Sequence, residues 1–97
     1  MTIELKKFGT TLISRQSGRE AFAAFQPTLL GINRDENLEI NFQGVLTFSP
    51  SWGDEFLTPL QSQLRDRLTL SSTDNLSVKA TLEILERTNK NKFYVKS

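Results

Sequence analysis

Ser49, Ser51, Asp54 and Glu55 crowd one short stretch, Ser49-Pro50-Ser51-Trp52-Gly53-Asp54-Glu55, in a chain with no His and no Cys. Hydroxyls beside carboxylates raise the question of nucleophilic or acid–base chemistry. Without His or Cys there is no Ser-His-Asp triad, no Cys nucleophile, no phosphohistidine and no zinc site of the Cys/His kind. Adjacent helical residues point about 100° apart, so Asp54 and Glu55 do not converge as a catalytic pair; their ordinary role is favourable charge at a helix N-terminus. Gly9 to Thr11 lacks the spacing and the Lys of a phosphate loop. No catalytic residue, metal site or cofactor is therefore expected.

The hydroxyls have two other uses. Ser51 can cap a helix, a contribution of about 1 kcal/mol, with Asp54 at the third helical position completing a box-like arrangement. Ser49 followed by Pro50 is a competing cap that starts the helix two residues earlier. Ser51 can instead be a regulated phosphorylation site. A helix N-terminus stabilises phosphate, whereas Asp54 and Glu55 oppose it with like charge. Trp52, the only Trp, is either core or, if exposed, an interface anchor. Gly53 lets another backbone approach. Arg15 either pairs with Asp54 or Glu55 across the sheet end or recognises an anion on a partner or ligand. Ser49, Trp52, Asp54, Glu55 and Arg15 are the candidate partner-binding residues.

The elements that must position these groups alternate in type. Thr2 to Lys6 has the period of a strand with one buried face. Thr11 to Ile13 is a short strand or the approach to a helix. Ser17-Gly18-Arg19-Glu20 reads as a capping box before a helix carrying Ala21, Phe22, Phe25 and Leu29, which Pro27 should end or kink. Leu38 to Gln43 alternates cleanly as a strand; Gly44 interrupts after it, and Val45, Leu46 and Phe48 are expected to continue into the core. Phe56, Leu57, Leu60 and Leu64 form the apolar stripe of the next helix, with a kink or restart near Thr58-Pro59. Arg67 to Ser71 is a short strand. Residues 76–85 fit both period two and a helix; their length and the cap offered by Asp74 or Asn75 favour helix. Phe93 to Val95 is a last strand or a docked segment. Strand, helix, strand, helix, strand, helix argues for a small α/β domain with helices packed on a mixed sheet.

A chain of 97 residues with 37% hydrophobic residues and seven Phe fits one domain spanning residues 1–97 with one modest core. The net charge of +1 gives no strong field for nucleic acid or membrane. Arg87, Lys90, Lys92 and Lys96 nevertheless occur without an acid among them, which suggests a basic C-terminal tail over about residues 88–97. Met1 to Lys7 lacks the apolar core of a signal peptide, and no run of about 18 apolar residues can span a membrane. Absence of Cys fits a cytoplasmic location.

The segment Leu38 to Leu60, LEINFQGVLTFSPSWGDEFLTPL, resembles the STAS-like domain family of unknown function. The family pattern is a strand ending in Asp-Phe, a Gly-Val turn, two or three Ser, an aromatic, a small residue and Asp-Glu. Asn41-Phe42, Gly44-Val45, Ser49, Ser51 and Trp52-Gly53-Asp54-Glu55 occupy those positions. Gly9, Leu12 or Ile13, Ser14 and Arg15 similarly resemble the family's N-terminal Gly and Leu-x-Ser-Arg. The family is similar in fold to the anti-sigma-factor antagonists, in which a serine at this helix N-terminus is phosphorylated by a partner kinase of the histidine-kinase-like ATPase group. The unmodified antagonist binds that kinase and releases a sigma factor. By position Ser51 matches that serine, although Pro50 stands where the antagonists usually carry an acid and Asn41 where the family has Asp.

The resemblance implies a non-enzymatic regulatory module that binds a protein partner, a histidine-kinase-like ATPase or serine kinase, and is switched at Ser51. An alternative is a nucleic-acid-binding accessory protein using the basic C-terminal segment, with Phe93 and Tyr94 as stacking groups. A small hydrolase or transferase built on Arg15, Asp54 and Glu55 is a third reading and would need a deep pocket joining them.

Overall fold

The computed structural model describes residues 1–96. In chain order the elements are β1 (Thr2–Glu4), β2 (Thr11–Leu12), α1 (Arg15–Leu30), β3 (Leu38–Asn41), β4 (Thr47–Phe48), α2 (Pro50–Leu64), β5 (Leu68–Ser71), α3 (Leu76–Asn89) and β6 (Tyr94–Lys96). Short 3-10 turns follow β1 and α2. The α/β class expected from the alternation is what the chain forms. Its sheets are wholly parallel rather than mixed: one has the order β1-β3-β5-β6 and the other pairs β2 with β4. The reason is that a helix lies between each pair of neighbouring strands in the larger sheet, and a helical crossover returns the chain to the same end.

Ile3, Ile40, Leu70 and Val95 lie in register across the large sheet, on the face that the helices cover. The next register position carries Thr2, Glu39, Thr69 and Tyr94, so the opposite face is polar. A strand order that always steps the same way places right-handed crossovers on one face. Accordingly α2 is the middle helix and packs against both α1 and α3. Beneath it the core joins Leu38, Ile40 and Leu70 of the sheet to Phe25, Phe56, Leu57, Leu60 and Val78 of the helices.

Three local expectations change. The Ser17 capping box does not form. Ser14 leaves β2 with extended backbone and caps α1 by accepting from the Ser17 amide, while Glu20 pairs with Gln16. The helix thus starts at Arg15, directly after its cap, which places Arg15 in the first turn. Pro27 and Pro59 both lie inside unbroken helices. A proline costs a helix one backbone bond, but buried Phe56, Leu57, Leu60 and Leu64 hold α2 on both sides of Pro59. Pro27 falls within the last turn of α1, where little helix remains to disturb.

The ambiguous segment at 76–85 is helix, capped by the Asn75 side chain accepting from the Val78 amide. The basic segment is not a free tail. Residues 88 and 89 close α3, Phe93 is buried, and β6 pairs with β5. Phe93 in the core and the pairing of β6 with β5, which sets Val95 beside Leu70, hold it to the domain. Ser97 lies outside the described residues.

Candidate functional site

The two-residue ladder of β2 and β4 builds the site. It sets Thr11 beside Thr47 and Leu12 beside Phe48, so the chain enters α1 and α2 side by side. Ser49 ties the two entrances together: its Oγ donates to the Ile13 carbonyl at 2.6 Å and accepts from the Trp52 amide at 3.2 Å. Ser49, not Ser51, is therefore the cap, with Pro50 as the first helical residue. Pro50 favours this start because its missing N–H would be unpaired there in any case. The Ser49 hydroxyl thus both donates and accepts within the fold.

Ser51 is the second residue of α2 and only partly buried. It shares a stripe with Asp54, Glu55 and Thr58, at helical spacings of three, four and seven. Asp54 is not a box partner to Ser51; it accepts from Thr58 Oγ1 at 3.0 Å and from Arg15 Nη1 at 3.2 Å. Arg15 Nη1 also donates to Glu55 at 2.6 Å, and Arg19 Nε reaches the other Glu55 oxygen at 3.4 Å. The expected pairing of Arg15 across the sheet end thus involves both acids. The Arg15 hydrogen bond lowers the Glu55 carboxyl below its ordinary value, against the effect of burial and with help from Arg19. Glu55 and then Asp54 raise Arg15 in turn.

Trp52 is fully buried, with Phe8, Phe48 and Phe56 around it at centroid distances of 5.0–6.2 Å. It is core, and the interface-anchor role is corrected: the pairing of β2 with β4 turns this face of α2 inward. Gly53 is also buried, and the close approach it permits is internal, since a Cβ there would meet Leu85 and Phe48 at 3.0 and 3.1 Å. Gly18 does the same for α1 and α2: its Cβ would stand 2.7 Å from the Trp52 carbonyl oxygen. That approach is what brings Arg15 and Arg19 within reach of α2.

The same end of the molecule carries large exposed apolar side chains. Ile13 is 51% exposed, Leu46 68% and Leu76 80%. They sit on neighbouring segments. Ser49 binds the Ile13 carbonyl, the Leu46 amide donates to the Thr10 carbonyl, and Asn75, next to Leu76, donates to the carbonyls of Val45 and Leu46. Sequence reasoning missed Arg19, which sits one turn after Arg15, and Leu76, and it placed Leu46 in the core with Val45 and Phe48, whereas only those two are buried. Arg19 was legible in that spacing; Leu46 and Leu76 depend on loops whose meeting only the topology decides.

Among the described residues no group of His, Cys, Asp and Glu is placed to hold a metal ion. No helix among the described residues is long and apolar enough to cross a membrane. Comparison of the chain with protein-family models, curated proteins and solved structures finds no match. The resemblance to the STAS-like family therefore rests on its motif residues alone.

Proposed function

We propose that this domain is a non-enzymatic regulatory module of the STAS-like kind that binds a protein partner through the end where its helices begin. The observation that carries this reading is the placement of Ile13, Leu46 and Leu76, exposed and on mutually bonded segments, beside the charged group of Arg15, Arg19, Asp54 and Glu55. Apolar contact area next to fixed charges suits protein recognition: the first supplies burial and the second orientation.

Phosphorylation of Ser51 is the proposed switch. A phosphoserine adds roughly −1.5 to −2 charges. On this stripe it would lie one turn from Asp54 and Glu55, repel both and compete for Arg15. The partner surface would change with no movement of the core. The family resemblance points to a histidine-kinase-like ATPase or serine kinase as partner, and a chain without Cys suits the cytoplasm.

The test is a pull-down from native-source lysate with wild type, Ser51→Asp and Leu46→Asp/Leu76→Asp as baits, read by mass spectrometry. An ATPase of the histidine-kinase-like group held by wild type and lost by the other two supports the proposal. The same partners on all three baits would remove both the switch and the surface.

A further inference from the structure

We propose that the groove between the C-terminal ends of α2 and α3 and the start of β6 binds a small, hydroxyl-bearing phosphate monoester. The groove encloses about 540 Å³, within the range of roughly 300–1,000 Å³ usual for small-molecule sites. Its walls include Arg65, Lys92, Asp66, Gln61, Asn89 and Tyr94.

Two cations face this space without a carboxylate partner among the described residues. Lys7, Arg34, Arg67, Lys79 and Lys90 also lack ion pairs, but only Arg65 and Lys92 line this groove together, with Asp66 as its one acid. A phosphate dianion can engage both, with bidentate bonding from the planar guanidinium. The amides suit the remainder of such a ligand. Asn89 gives one hydrogen to Thr58 Oγ1 and Gln61 gives one to the Lys92 carbonyl. Each retains a second hydrogen and a carbonyl oxygen for ligand hydroxyls. Tyr94 is 58% exposed and offers a flat wall.

Helix C-termini favour nearby cations, which is reason enough for basic residues at the ends of α2 and α3. It does not explain the backbone of Arg65, at φ 53° and ψ −120°. Glycine takes that conformation with far less strain. An Arg held there keeps a guanidinium at the groove wall despite the backbone, as at sites where strain serves ligand binding.

The experiment is a titration of the full chain, followed through backbone amide NMR signals, with ribose 5-phosphate and with adenosine 5′-monophosphate. Inorganic phosphate and adenosine are the controls. Saturable shifts concentrated at Gln61–Asp66 and Asn89–Tyr94 with either ester are expected. Arg65→Gly, which relieves its own backbone, and Lys92→Gln should each weaken binding roughly tenfold or more. Tighter binding of the nucleotide assigns the nucleoside and Tyr94 stacking; equal binding assigns a sugar phosphate. No saturable shift with either ester overturns the proposal. So does equal affinity for inorganic phosphate or adenosine, or undiminished binding by both variants.

Discussion

At the N-terminal end of α2, Arg15 and Arg19 meet Asp54 and Glu55, and Gly18 lets the two helices nearly touch. At its C-terminal end, Arg65 and Lys92 face an open groove, and the backbone of Arg65 is strained. The first end is closed and charge-compensated; the second is open and left with excess positive charge. A hydrogen-bond chain connects them, from Arg15 to Asp54, from Thr58 to Asp54, and from Asn89 to Thr58. Tight packing and charge neutrality leave the first end only an outer surface to offer. The second keeps unsatisfied groups in a concavity.

Trp52→Ala gives the largest expected effect, because it removes the side chain on which the closed end is built. A loss of about 3–5 kcal/mol is expected for a buried Trp. Urea unfolding followed by circular dichroism measures it, since the variant loses the only Trp reporter. A loss below about 1 kcal/mol would mean that Trp52 is not core and would restore its role as an anchor. Gly18→Val comes next. Its Cβ meets a backbone carbonyl at 2.7 Å, which cannot rotate away. A cost of about 2–3 kcal/mol is expected from forcing the helices apart. Because Arg15 and Arg19 lie on the displaced helix, the variant should also weaken the acid sensitivity described below. An intact acid profile would separate the charge cluster from the helix contact.

How far each end was legible in the sequence follows from the same difference. Arg15 with Asp54 and Glu55 was legible because charges of opposite sign open consecutive helices. The Trp52-Gly53 pair was ambiguous, since a first-turn Trp is compatible with either face until the start of the helix is known. Moving that start from Ser51 to Ser49 turns on the local chemistry of Pro50, and moving the start of α1 to Ser14 turns on β2, a strand of two residues. The alternating strands announced an α/β fold, but their direction depends on crossovers rather than on residue pattern. The groove was illegible: Gln61, Arg65, Asn89 and Lys92 have no shared motif and meet only because two helices end beside β6.

Arg65→Gly should move stability the other way. Relief of a strained non-Gly conformation is worth about 1–3 kcal/mol, and the added freedom of glycine in the unfolded chain returns roughly 0.5–1 kcal/mol. A net gain of about 1 kcal/mol is expected from the urea midpoint. Loss of stability would show that the Arg65 side chain holds the open end together, and the contrast between the ends would then disappear.

The smallest expected effect is an acid-dependent one at the closed end. Arg15 keeps the Glu55 carboxyl below its ordinary value of 4.5 in the folded protein, with Arg19 assisting. The unfolded chain therefore binds a proton at Glu55 at a higher pH than the folded chain does. The contribution to stability is present above the unfolded value and fades as the pH falls through the lowered one. The raised value of Arg15 adds nothing in this range, because that group stays protonated in both states. The pair lies at the surface, so the effect should shrink further in salt. Thermal unfolding of wild type and Glu55→Gln, compared from neutral pH into this acid range at low salt, should show the two curves converging as the pH falls. Parallel curves would mean that the Arg15 contact adds no pH-linked stability, leaving close helix packing at Gly18 as what holds that end shut.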